Sequence, residues 1–330
     1  MPRSHIVKKE SYHYLWSKKH PPVVEINPGD TVTFQVNEVT SSQITKKSTA
    51  ADINKLDTSK FYPLAGPVYV NGAKPGDTLT IEVLRVRTAD WGWSAIIPGL
   101  GALEEFTDPY LWTWRVGTGK WIGFKNGLRV RRSPFCGVMG VAPANEGFTE
   151  PMPPGNHGGN LDIRHLGAGS SLLLPVWVHG GLFSVGDIHA AQGDGEVCVT
   201  AIECSGDVTL RFNLFKDSRL EAPQYFTTSE ERSDRSYVTT GIAPDLMEAC
   251  RLAIRRMIDA LMSCAGVSKE EAYVFCSVAG DLKIHEIVDK PNWVVGFAIS
   301  QNCLGTAWRH LGSTGSPQQR KVSSQLMREA

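Results

Sequence analysis

Twice in the first third of this 330-residue chain, a Pro-Gly-Asp turn opens directly onto a run of alternating residues. Asn27-Pro28-Gly29-Asp30 leads into Thr31-Val32-Thr33-Phe34-Gln35-Val36. Lys74-Pro75-Gly76-Asp77 leads into Thr78-Leu79-Thr80-Ile81-Glu82-Val83-Leu84-Arg85-Val86. A period of two sorts apolar and polar side chains onto opposite faces only if the backbone is extended. The turn residues supply the rest: proline fixes φ, glycine accepts a positive φ, and aspartate bonds back to the backbone. Such a chain builds sheet before it builds helix.

Later segments extend this pattern. Leu172-Leu173-Leu174-Pro175-Val176-Trp177-Val178 reads as a buried strand, and Val208 to Leu214 alternates cleanly. Val197 to Cys204 reads as a further strand, joined to Val208–Leu214 by the turn Ser205-Gly206-Asp207 as a hairpin. The Gly- and Trp-rich stretch from Trp91 to Trp121 reads as mostly loop. Leu246, Cys250, Ala253, Met257 and Leu261 make one apolar stripe of a helix over 244–264, with Pro244 in its first turn and Gly266 past its end. Ser268-Lys269-Glu270-Glu271 fits the capping box of a second helix. The order predicts an α+β fold dominated by β, with sandwich- or barrel-like sheets and a late helical hairpin packed on them. Two parts are expected, a β-rich 1–145 and a motif-bearing 146–330, or one intertwined domain. The Ser/Gly/Gln/Lys-rich tail after Gly312 is expected to be loose or to lie on a partner.

Composition narrows the function classes. Lys plus Arg equals Asp plus Glu at 34 each, so no net field draws the chain to nucleic acid or anionic lipid. The first ten residues lack the apolar core of a signal peptide, and no window reaches the ~18 apolar residues of a membrane span. The seven cysteines are scattered without a CxxC pair, as expected of reduced thiols in a cytoplasmic protein. No GxxxxGK[ST] or GxGxxG follows a strand, which argues against nucleotide cofactors.

Chemistry concentrates between His157 and Glu196. Asn160 and Asp162, Asp187 and His189, and Asp194 and Glu196 each stand two apart among glycines. On extended backbone both members of a pair face one way, so three pairs can line one cleft. Imidazole with carboxylates suits zinc or another first-row divalent cation with one position left open for water, and calcium is the expectation only for a structural ion held by oxygen ligands. His157 is a further ligand or proton-shuttle candidate. Glu196 and Glu203 lie in strand-like text where desolvation would raise their pKa values and fit them as general bases. Cys198, among apolar neighbours, is a poor nucleophile, and Ser184 lacks a GxSxG elbow. The alternatives are turn aspartates, a satisfied core histidine and an in-sheet salt bridge for Glu203.

These residues resemble the acetamidase/formamidase family. The likeness is carried by His157-Gly158-Gly159-Asn160-Leu161-Asp162, by Leu174-Pro175-Val176 and by Gly181 through Glu196. Gly66 to Asp77 and Cys136 to Pro143 agree with it, and the likeness runs from Val23 to Ile299. The resemblance implies a β-rich amidohydrolase that releases ammonia from short aliphatic amides, in the shorter, acetamidase-type branch, assembled as a dimer-based homo-oligomer. On that reading Asp162, Asp187 and His189 hold the ion, Asn160 or His157 completes or orients the set, and Glu196 or Glu203 serves as the base. A binding or scaffold protein with a structural metal is the competing expectation, as is a hydrolase of a larger amide or a carbamate.

Overall fold

The computed structural model describes residues 1–228 and 235–311; the tail expectation therefore lies outside the described residues. Two large sheets carry the fold. In the first, nine strands run in the order Ser4–Val7, Thr31–Val36, Gly206–Phe215, Thr78–Thr88, Ser171–Pro175, Gln224–Phe226, Ser236–Ala243, Trp293–Ser300 and Gly280–Glu286. The second runs Gly158–Asn160, Phe135–Gly140, Phe183–His189, Glu203–Cys204, Trp91–Ile96 and Tyr110–Arg115, with Leu64–Val70 also paired to Phe183–His189. Strands from before and after residue 145 are neighbours in both sheets. The inward faces meet in one core, where the Phe183 ring lies 6.0 Å from Phe34 and 5.1 Å from Phe212. The fold is β-dominated α+β.

Both Pro-Gly-Asp turns work as the sequence predicts. Asn27 N donates to Asp30 Oδ2 at 2.9 Å, and Lys74 N donates to Asp77 Oδ2 at 2.8 Å. The alternation holds too: Val32, Phe34 and Val36 are buried, while Thr33 faces away and meets Thr209 Oγ1 at 3.0 Å. The helix Leu246–Ala265 starts at Asp245, whose side chain accepts from Glu248 N, and stops at left-handed Gly266 with φ 68°. Pro244 stands before the cap rather than in the first turn. Ser268 and Glu271 form the capping box of Lys269–Ala279. The first helix lies so close on its sheet that a Cβ at Gly241 would collide with the Ala249 carbonyl.

One local expectation holds in part and one fails. Most of the 91–121 stretch lies outside strands, but Trp91–Ile96 and Tyr110–Arg115 pair as strands within it. Their tryptophans are anchored by polar contacts that periodicity does not register, Trp93 Nε1 to Glu38 Oε2 at 3.1 Å and Trp114 Nε1 to Ser94 Oγ at 2.8 Å. The Val197–Cys204 segment is strand only at Glu203–Cys204, and Gly206–Phe215 joins the other sheet, so no hairpin forms. Val199 has φ 66°, a value β-branched residues rarely adopt, and it lines a cavity rather than a ladder.

Candidate metal centre and active site

His189 closes the strand Phe183–His189, opposite Phe135 on one side and Glu203 on the other. That register brings Glu203 Oε2 to 3.1 Å from His189 Nε2, and Asp187 Oδ2 lies 3.2 Å from the same nitrogen. Asp187 has φ 56°, so it departs from the regular alternation yet still converges on the imidazole. Asp162, with φ 45°, brings Oδ1 to 3.5 Å from His189 Nδ1. Gly137 is the floor beneath them. A Cβ there would meet Asp162 Oδ1 at 2.5 Å and Asp187 Oδ2 and His189 Cε1 at 2.9 Å each.

Glu196, Asn160 and Asp289 complete the polar wall of a cavity of about 50 Å³, and Phe61, Tyr62, Trp93, Ile97, Leu100 and Met152 stand among its other walls. Five of the non-glycine residues with positive φ line this one cavity: Tyr62, Asp162, Asp187, Glu196 and Val199. Sparsely populated backbone conformations persist where the surroundings over-determine them, and they gather at functional sites.

Gln192 fixes the role of the histidine. Its Nε2 donates to the Asp162 carbonyl at 2.8 Å, so its Oε1, 2.9 Å from His189 Nδ1, must accept. Nδ1 is therefore the protonated nitrogen, and in the neutral ring Nε2 turns a lone pair toward Asp187 and Glu203. His189 Nε2, Asp187 Oδ1, Glu203 Oε2, Asp162 Oδ1 and Asn160 Oδ1 are all buried without a hydrogen-bond partner. The donor set fits a divalent cation: Zn–N and Zn–O bonds of about 2.1 Å imply ligand edges of ~3.0–3.4 Å, the spacing seen around Nε2.

Without a bound metal, the same surroundings place a second proton on Nε2. Burial alone would lower the His189 pKa, but Glu203 and Asp187 outweigh it and hold it well above the ordinary histidine value. Burial pushes Glu203 up to about 8 and Asp162 up to about 6, against the pull of His189, and Asp187 adds to both. Glu196 is held well above the usual range by burial and then by Asp162. Asp289 is raised too, by burial first and Asp162 second. This much negative charge around one imidazole needs protons or a metal to be stable.

The predicted residues sort as follows. Asp162, Asp187, Glu196 and Glu203 line the cavity, and His189 contacts Asp187 and Glu203 without lining it. Asn160 lines it as well, but its Nδ2 donates to Asp289 Oδ2 at 2.8 Å. Asp194 departs from its pair: Gly195, with φ 97°, turns the chain so that Asp194 faces His165 at 3.5 Å instead. His157 also lies elsewhere. It is buried against Trp16 with rings 5.4 Å apart, is not part of the cavity wall, and has its pKa lowered by burial to about 4. Cys198 is outside the cavity, with Sγ 3.3 Å from the Ala95 carbonyl and a pKa raised by burial. Ser184 meets His13 Nε2 at 2.8 Å but is fully buried, where a substrate has no access. Gln192, Asp289 and Tyr62 were not singled out by sequence. Gln192 had a local signal, standing three residues after His189.

A profile of the acetamidase/formamidase family matches residues 2–151 and 144–304. An acetamidase from Bacillus halodurans of known structure superimposes with a TM-score of 0.84 at 32% identity, covering 93% of this chain and all of that one. An acetamidase from Yersinia enterocolitica gives a TM-score of 0.83 at 28% identity, covering 92% and 94% of the two chains. A formamidase from Methylophilus methylotrophus is 26% identical over 62% of this chain, and the match spans 64% of that relative's length. With the carboxylate cavity lying inside the matched span, the chain belongs to the acetamidase/formamidase family.

Proposed function

We propose that this protein hydrolyses small aliphatic amides of the formamide and acetamide class to a carboxylate and ammonia, using a divalent metal, zinc first. The observation that carries the proposal is the position of His189 Nε2, left as the free ring nitrogen by the Gln192 contact at Nδ1 and aimed among buried carboxylates. Asp187, His189 and Glu203 would hold the ion, because Nδ1 is already engaged on the Asp162 side. This assignment moves Glu203 into the ligand set and Asp162 out of it, into an acid/base pair with Glu196. Asn160 then orients Asp289 rather than binding metal. When bound, the ion would polarise the amide carbonyl and make water a stronger acid.

The remaining work falls to the protein's own groups. Asp162 and Glu196 are coupled carboxylates whose pKa values are raised, so the pair retains a proton near neutrality. Such a pair takes a proton from the attacking water and returns one to the departing nitrogen, which leaves only as the amine. Tyr62 stays neutral because burial and then Asp289 raise its pKa, and its hydroxyl accepts from Asn160 Nδ2 at 3.5 Å. Its own proton remains for the carbonyl oxygen as charge develops there. The cavity, about 50 Å³, is small, which favours a short amide over a large one.

Dimer-based self-association belongs to the same proposal. Its support is the apolar strip of Tyr273, Val274, Val278, Leu282 and Ile284, exposed along the outermost strand of the first sheet and its preceding helix. Cytoplasmic residence is supported by seven free cysteines. Among the described residues no helix is long and apolar enough to cross a membrane. The deciding experiment measures ammonia release from formamide, acetamide and propionamide before and after chelation, with elemental analysis of both samples. Activity lost with the metal and restored by zinc is expected. Full activity in the metal-free sample would overturn the proposal.

A further inference from the structure

Three segments of chain that build the carboxylate cavity also build a second one behind it. Asp162 and Glu196 line the first, whereas Arg164, His165 and Asp194 line a separate polar cavity of about 260 Å³. Gly195 N donates to the His285 carbonyl at 2.8 Å, which clamps the Asp194–Glu196 segment to the strand Gly280–Glu286. Asp194 Oδ1 lies 3.5 Å from His165 Nε2 and 4.0 Å from His285 Nδ1. One donor atom from each residue lies within 4.8 Å of the other two. The His285 ring is fully buried; its Nε2 is 3.0 Å from the Tyr225 hydroxyl, and its Nδ1 has no hydrogen-bond partner.

We propose that His165, Asp194 and His285 form a second metal site for a first-row divalent cation, distinct from the amidase centre and open on one side to the polar cavity. Two imidazoles and one carboxylate are a donor set that zinc, cobalt and nickel bind and that calcium and magnesium avoid. The Tyr225 hydroxyl holds His285 through Nε2 and leaves Nδ1 as the ligand atom, the usual outer support of a metal-bound histidine. A ligand at the open position would share the cavity with Arg131, Arg164 and Lys283. Those cations select a small anion for that position. They also oppose the metal's own charge, which makes this the weaker of the two sites.

The test is a titration of the full, metal-stripped chain with Zn²⁺ and with Co²⁺, followed by elemental analysis and the visible absorption of bound cobalt. The wild type is expected to take up two ions per chain, the second more weakly. Asp194→Asn and His165→Gln should each remove the weaker one and its cobalt band, and Asp187→Asn should remove only the tighter. Asp194 is more than a third exposed, so its replacement leaves the core intact. One ion in the wild type that Asp194→Asn abolishes and Asp187→Asn spares would support this site while sinking the proposed catalytic ion. A wild-type uptake that Asp194→Asn leaves unchanged, at zero, one or two ions, overturns the proposal.

Discussion

The two histidine–carboxylate clusters draw partly on the same segments, with inverted ratios of charge. Around the carboxylate-rich cavity one imidazole, His189, meets Asp162, Asp187 and Glu203, with Glu196 beside them, all almost completely buried. In the second cluster one half-buried carboxylate, Asp194, faces two imidazoles. Titration behaviour follows from that ratio. Burial acts first on Asp194 and would raise its pKa, but His165 and His285 outweigh it and hold the carboxyl far below the usual range. Glu203, buried first and crowded by Asp187 second, goes the other way despite His189. A residue type, then, does not define a site; the charge it is surrounded by does.

The strongest way to break the contrast is to remove a ligand from the acid-rich cluster. Asp187→Asn and His189→Ala are expected to abolish both the tight metal ion and amide turnover, read by elemental analysis and ammonia release. The loss should exceed the ~10²–10⁴-fold that removal of a general base costs. If either variant retains wild-type turnover, the ligand assignment fails. Next in size is Glu196→Gln, expected to keep its metal while kcat falls by about 10²–10⁴. A Glu196→Gln protein that lost its metal would make Glu196 a ligand and leave Asp162 alone as the proton carrier.

Gln192→Ala comes third. Without the acceptor at Nδ1, the imidazole is free to protonate at Nε2 and donate to the carboxylates. Disturbing such support of a ligand typically costs about 10–100-fold in metal affinity. A metal titration that gave the wild-type affinity would show that the tautomer is set by something other than Gln192.

The pH dependence of stability sharpens the comparison further. Folded Glu203 keeps its proton to about 8, and the unfolded chain releases it near 4.5. Asp162 behaves similarly, between 3.8 unfolded and about 6 folded. Between these limits the native state binds more protons than the unfolded one, so raising the pH removes stability. The metal-free protein should therefore melt at falling temperatures from about pH 5 to pH 8. Zinc should reverse the slope, because it binds the deprotonated ligands and displaces protons. Asp194 contributes with the opposite sign: its stabilisation is present above the unfolded pKa and is lost in acid. Thermal melts of Asp194→Asn and the wild type at several pH values separate the two contributions.

Much of this was legible in sequence, and the misses share a cause. Spacing brought out Asp187 with His189 and Asn160 with Asp162, although φ 56° at Asp187 means the two do not converge by plain strand alternation. The same rule failed at Asp194 and Glu196, where a positive φ at Gly195 sends neighbours two apart into different cavities. Tyr62 and Asp289 come from distant segments and meet the site only through tertiary packing. The Val197–Cys204 run is apolar because part of it walls a cavity, a reason that periodicity cannot separate from strand burial. The Pro-Gly-Asp turns and the capped helices were readable because their hydrogen bonds close within a few residues.

The smallest expected effect tests a motif histidine that belongs to neither cluster. His157 stands in the same glycine-rich motif as Asp162, yet it packs on Trp16 with its Nε2 buried and unpartnered. Burial lowers its pKa to about 4 from an ordinary value of 6.5. Below pH 6.5 the unfolded chain takes up a proton that the folded ring refuses, so stability falls as the pH drops through this window. His157→Phe removes that dependence and keeps an aromatic edge for Trp16, at a cost of about 1–3 kcal/mol for fitting the larger ring. Metal content and ammonia release should match the wild type, and melts between pH 4 and 6.5 should show a shallower slope. A His157→Phe protein with lost turnover and intact metal would make this ring a proton carrier, and the separation between motif membership and site membership would have to be redrawn.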